Sequence, residues 1–138
     1  MELAVGQTAT RTLTVTGEHV AKYAEITGDY NPLHFDEAFA AATPFGKPVV
    51  QGGITAGILN ALVAEDLPGP GTVFMSQQLE FVAPVFIGDT IVGEVEVLKV
   101  HATKPVTQLR VEVRRDEGEV VLKGEARRYT FPGPETAR

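Results

Sequence analysis

The feature that most constrains how this chain can fold is the period-two pattern of its second half. Residues 90–97 set Ile91, Val95 and Val97 against Glu94 and Glu96, and residues 108–115 set Leu109, Val111 and Val113 against Arg110, Glu112 and Arg114. Such alternation predicts strands with one dry and one wet face. Residues 72–82, with Val73, Phe74, Leu79, Phe81 and Val82, and residues 119–131 extend the set. Breaks fall at 83–84, 87–89, 101–105 and 116–118, so three successive strands are joined by turns short enough for antiparallel neighbours. The dry face requires a cover. Only residues 53–67 are long enough to supply it: Ile54, Ile58, Leu59, Leu62, Val63 and Leu67 recur at three- to five-residue spacing, while Thr55, Ala56, Gly57, Asn60 and Ala61 stay small. The predicted class is α+β, a curved antiparallel sheet wrapped around one long central helix.

The rest of the chain adds short elements. Thr-rich residues 8–15 read as an edge strand. Thr16 caps a helix that carries Val20, Tyr23, Ala24 and Thr27 and ends near Gly28. Asp36 caps a second short helix over 37–42, which the Thr43-Pro44 step terminates. With 138 residues, one domain over residues 1–131 is expected, followed by a Pro/Gly-rich tail over 132–138. The absence of cysteine excludes thiol nucleophiles, thiolate metal sites and disulfides. A net charge of -6 disfavours nucleic acid as a partner. The charge is uneven, with 3 Lys/Arg against 8 Asp/Glu in residues 1–70 and 9 against 10 in residues 71–138. The second half could therefore offer cations to a phosphorylated ligand, or carry them on a solvated, mixed-sign strand face. No apolar run approaches the ~20 residues that cross a bilayer. The first residues do not resemble a secretory leader, so the cytoplasm is the default location.

Candidates for chemistry are few. His19 and His101 read as solvent-facing. His34 lies with Asp29 in Gly28-Asp29-Tyr30-Asn31-Pro32-Leu33-His34, a loop between two short helices. A carboxylate and an imidazole so placed can share acid/base work. Equally, Asp29 can cap the loop while His34 bonds to backbone. A second constellation is Gln51-Gly52-Gly53, which runs straight into the apolar helix. Free N–H groups at a helix start form an oxyanion site, or the glycines simply turn the chain. No metal is expected, because His34 has only Asp29 and Asp36 nearby as ligands. Ser76, the sole serine, sits in a predicted strand without a nucleophile elbow.

The run Tyr23-Ala24-Glu25-Ile26-Thr27-Gly28-Asp29-Tyr30-Asn31-Pro32-Leu33-His34-Phe35-Asp36 resembles the hydratase motif of the MaoC-like, (R)-specific enoyl-CoA hydratase family. The resemblance extends to Phe39-Ala40, Pro48-Val49-Val50, residues 67–71 and residues 81–89, and so covers most of residues 3–130. It implies the hot-dog fold. It also implies that Asp29 and His34 are the catalytic pair adding water to a trans-2-enoyl thioester to give an (R)-3-hydroxyacyl product. The Gly52 N–H would polarise the thioester carbonyl, and Asn31 would orient the loop. Many relatives carry histidine where Gln51 stands; glutamine still hydrogen-bonds but cannot change charge. Asn60 either lines the acyl pocket or lies at a surface or interface.

The partners implied are an acyl-CoA or acyl-carrier-protein thioester and a second copy of the chain, with a dimer of dimers as an extension. No cofactor is implied beyond the coenzyme A of the substrate. Two other functions suit the same fold: an acyl-CoA thioesterase, and a non-catalytic subunit that binds acyl thioesters. The intact Gly-Asp-x-Asn-Pro-x-His loop argues against the first.

Overall fold

The computed structural model describes residues 3–116 and 118–132. Five strands form one antiparallel sheet: β1 (Thr8–Thr14), β2 (Thr72–Phe81), β3 (Thr90–Val100), β4 (Val106–Arg115) and β5 (Glu119–Thr130). Their order across the sheet is β1-β3-β4-β5-β2. The alternation places Ile91, Val95, Val97, Leu109, Val111 and Val113 on the inner face, all buried. Glu94, Glu96 and Arg110 fall on the outer face, where Arg110 reaches Glu94 at 2.6 Å and Glu96 at 2.9 Å. Three of the second-half cations (Arg110, Arg114 and Arg115) are thus engaged with carboxylates, as a mixed-sign strand face requires.

β2 does not pair with β3, its successor in sequence. It lies at the far edge against β5, in register from Thr72↔Thr130 to Phe81↔Leu122, and residues 82–89 carry the chain back across to β3. That crossing lets one sheet wrap a helix from both sides.

The helix is α4 (Gly52–Ala61), prolonged by a π-helical turn over Leu62–Asp66. A continuous α-helix to Leu67 was the expectation; the last turn widens instead, closed by Leu67 N–H donating to Leu62 O at 2.8 Å. The physical reason is visible in the spacing. Five residues of α-helix would swing Leu67 well away from the core-facing stripe, whereas one π turn brings it back beside Leu62 and Val63. All three are buried. Ile58, Leu59, Leu62 and Val63 join the inner-face strand residues in a single core, which is the hot-dog arrangement.

Three helices precede α4: α1 (Gly17–Thr27), α2 (Pro32–Phe35) and α3 (Glu37–Ala41). Thr16 caps α1 and Asp36 caps α3, as the sequence predicts. α2 was expected to be loop. The Asn31 side chain accepts from Leu33 N–H at 3.0 Å, and Pro32 occupies the first helical position, where its missing N–H costs nothing. Of the expected tail, residues 133–138 lie outside the described residues. No described helix is long and apolar enough to cross a membrane.

Candidate active site

His34 stands on α2 and is held by a backbone clasp. Val49 N–H donates to Leu33 O at 3.0 Å, and His34 Nδ1 lies 2.7 Å from Val49 O. A carbonyl oxygen only accepts, so Nδ1 carries the proton and Nε2 is the free nitrogen of the neutral ring. The residues that hold the ring are themselves fixed: Val50 N–H donates to Val85 O at 2.7 Å, and Val49 bridges to Phe86. The imidazole is mostly buried, with 11% of its side chain exposed.

Nε2 faces Asp29 Oδ2 at 3.5 Å, and the carboxylate side chain is 42% exposed. That separation is too long for a direct hydrogen bond of ordinary strength. It suits two acceptors that share one water, each taking one of its O–H groups. Asp29 is set by local geometry: its N–H donates to Thr27 Oγ1 at 3.2 Å, and its Oδ1 accepts from Asn31 N–H at 3.2 Å. Of the two readings of the spacing, the structure contains parts of both. Asp29 does cap the loop through Oδ1, and His34 does bond to backbone through Nδ1; the remaining atoms, Oδ2 and Nε2, face each other.

Gly52 opens α4, so its N–H has no partner within the helix. It lines the same cleft as His34. The cleft holds about 400 Å³ and is otherwise apolar, walled by Phe45, Val50, Phe81 and Val85, with Thr55 one turn below Gly52. A Cβ at Gly52 would lie 3.0 Å from the edge of the Phe81 ring, and one at Gly53 would overlap the Tyr23 hydroxyl. The two glycines therefore do more than turn the chain. They let an aromatic from β2 and another from α1 close on the amino end of α4.

Gln51 is buried and points away from the cleft, its Nε2 donating to Val20 O of α1 at 3.1 Å while Oε1 has no partner. It ties α4 to α1. Asn31 caps α2 and so orients the turn that carries His34. Asn60 is exposed on α4 and does not line the cleft. His19 is less open than expected: its Nδ1 accepts from Thr16 N–H at 3.0 Å in a reciprocal cap. His101 is exposed and accepts from Lys104 N–H at 3.0 Å. Among the described residues no three potential metal ligands cluster. A larger, open depression of about 1120 Å³ lies on the charged outer face of the sheet, remote in sequence from the pair and lined by neither Asp29, His34 nor Gly52.

Thr55, Phe45 and Phe81 were not singled out from the sequence. Thr55 was legible in principle, three residues after Gly52 on one helix face. The aromatics were not, since each reaches the cleft from a different element.

Residues 3–120 match the family model described as a MaoC like domain. The chain belongs to the MaoC-like dehydratase family. It is 39% identical over 124 residues to the (R)-specific enoyl-CoA hydratase of Aeromonas caviae, covering 90% of this chain and 92% of that protein. It is 43% identical over 125 residues to the 3-hydroxybutyryl-CoA dehydratase of Methylorubrum extorquens, covering 91% and 79%. The solved (R)-hydratase from A. caviae superposes with a TM-score of 0.89 at 37% identity over 94% of this chain and 98% of that one. An unliganded R-hydratase from Pseudomonas aeruginosa superposes at 0.88 and 35%, over 96% and 84%. The site thus sets a fixed imidazole and a helix-start N–H in one apolar cleft, with the half-exposed Asp29 carboxylate facing the imidazole at 3.5 Å.

Proposed function

We propose that this MaoC-like chain is an (R)-specific enoyl-CoA hydratase, a hydro-lyase that adds water reversibly across a trans-2-enoyl-CoA to give the (R)-3-hydroxyacyl-CoA. The observation that carries the reading is the 3.5 Å gap between His34 Nε2 and Asp29 Oδ2, beside the Gly52 N–H. A water donating to both acceptors turns its lone pair outward to C3 of the enoyl chain. As the C3–O bond forms, one water proton passes to the pair and the C2=C3 π electrons move onto the thioester oxygen. That oxygen is met by the Gly52 N–H, whose electrostatic stabilisation of an enolate is worth about 3 kcal/mol by analogy with oxyanion holes. The enolate then collapses as the pair delivers a proton to C2. Two acid/base groups this close share their protons, so the two halves belong to the pair. The chemistry as written uses no cofactor beyond the coenzyme A of the substrate.

The functional unit in this reading is a pair of chains. β2 is an edge strand 10 residues long, and Val73, Phe74 and Met75 on it are each about half exposed. An apolar edge of this length favours strand-to-strand pairing with a second copy.

The test is to mix the purified protein with crotonyl-CoA and follow loss of the conjugated-enoyl absorbance beside a free-thiol assay. Absorbance loss without thiol release, reduced at least about 10²-fold in Asp29→Asn and His34→Ala, is the expected result. Thiol release identifies a thioesterase instead, and silence in both channels a binding subunit.

A further inference from the structure

Every residue that walls the cleft comes from residues 33–85, and that stretch is strongly acidic. Between residues 23 and 98 the chain has ten Asp/Glu and a single cation, Lys47. Lys47 sits two residues from Phe45 and two from Val49, both of which line the cleft. The chain there is held in place: Pro48 restricts Lys47 to extended backbone, and Val49 is bridged to Phe86 and bonded to α2. The exposed Lys47 ammonium lies 4.5 Å from the centre of the Phe86 ring, a contact that steadies a cation and leaves its N–H donors free. No carboxylate of the described residues forms an ion pair with it. The other cation near this ring, Arg115, lies 5.5 Å from the Phe86 centre. Its guanidinium is already engaged by Glu119 at 2.6 Å and by Pro84 O at 2.8 Å.

The direction of the substrate follows from the same residues. A thioester carbonyl at Gly52 N–H places the acyl chain in the apolar cleft and sends the carrier arm out towards the rim. From Gly52 back to Lys47 is five residues of mostly extended chain, at most about 17 Å, a span that a pantetheine arm covers. We infer that Lys47 binds a phosphate of the carrier arm, and is the residue by which this cleft distinguishes a phosphorylated thioester carrier from a bare thioester. This rests on the hydratase reading for the orientation of the substrate. The phosphate is common to coenzyme A and to the phosphopantetheine of acyl carrier protein, and an exposed charge at the rim acts on binding rather than on the chemical step.

The test compares wild type, Lys47→Gln and Lys47→Arg on three crotonyl thioesters: those of coenzyme A, acyl carrier protein and N-acetylcysteamine, which has no phosphate. Lys47→Gln is expected to raise KM for crotonyl-CoA about five- to tenfold at constant kcat. The effect shrinks with added salt, is restored in Lys47→Arg, and is absent with the N-acetylcysteamine thioester. A larger KM change for the coenzyme A thioester than for the carrier-protein thioester assigns the contact to the nucleotide phosphates; equal changes assign it to the pantetheine phosphate both share. An equal loss on all three thioesters, or no change on crotonyl-CoA, overturns the inference. Titration with butyryl-CoA, which is saturated and cannot be hydrated, separates it from the hydratase reading. If wild type binds butyryl-CoA and Lys47→Gln weakens that binding, the phosphate contact stands even for a protein that hydrates nothing. An unchanged Kd, or no binding by wild type, overturns it.

Discussion

At the scale of single residues, two side chains show how much a neighbour decides. Gly52 matters for its missing Cβ, which leaves room for Phe81, and in the proposed reaction for the N–H that meets the enolate oxygen. Gly52→Ala keeps the N–H, yet its methyl would press on the Phe81 ring at 3.0 Å and narrow the cleft. The expected outcome is a fall in kcat/KM of about 10- to 100-fold with the fold intact, partly reversed by adding Phe81→Leu, as steady-state kinetics on crotonyl-CoA will show. Arg128 is the second case. It is buried on β5 with its Nε unpartnered among the described residues, its guanidinium 3.9 Å from the Phe74 ring centre and bonded to Ser76 O and Gln77 Oε1 at 3.2 Å, with no carboxylate partner among the described residues.

Burial alone pulls the Arg128 guanidinium below its ordinary value, down to about 10. A folded-state value below the unfolded one means that the charged form is disfavoured in the native state. Its cost is present in full below about 10 and is relieved as the pH rises from there towards the ordinary arginine range. Arg128→Met, which fills similar space without the charge, is therefore expected to raise Tm. The advantage over wild type should narrow above pH about 10, measured by thermal melts of both proteins across that range.

At the scale of elements, the four-residue helix α2 carries the imidazole and is held by the Asn31 cap and the clasp to Val49. Asn31→Ala removes its cap and is expected to cost about 1 kcal/mol of stability. Asp36→Ala removes the matching cap of α3, where Asp36 accepts from Phe39 N–H at 3.0 Å, at a similar cost in Tm. The two should part in kcat: Asn31→Ala lowers it because the helix that frays holds His34, while Asp36→Ala leaves it near wild type. Melts and initial rates on the two variants check this. The caps at Thr16 and Asp36 were legible in the sequence because an N-cap is a local event. The α2 helix was missed although both its signals, Asn31 and Pro32, stand side by side. Four residues are too few for the periodicity that marks a longer helix.

At the scale of the whole molecule, the sheet leaves two edges, β1 and β2, and of these β2 is the apolar one. If paired chains meet there, Phe74→Glu with Met75→Lys is expected to convert a dimer into monomers, read as a halving of mass by light scattering. Retention of the dimer in that variant would place the contact elsewhere. The pairing of β2 with β5 was invisible in the sequence. Neighbouring strands along the chain were read as neighbours in space, which is right for β3, β4 and β5, where short turns leave no choice. It fails for β2, whose connection to β3 is long enough to cross the sheet.

The sequence by itself determined the strands, the apolar central helix, the caps and the loop in which Asp29 and His34 fall, because each follows from spacing over a few residues. Tertiary structure alone decided which atoms of that loop are free. His34 Nδ1 is consumed by Val49 O, 15 residues away, and that long-range bond is what leaves Nε2 facing Asp29. It also decided that Gln51 turns from the cleft to Val20, that Phe81 closes over Gly52 from the far edge of the sheet, and that Arg128 is buried against the Phe74 ring. None of these is a property of spacing; each depends on which two distant segments the core brings into contact.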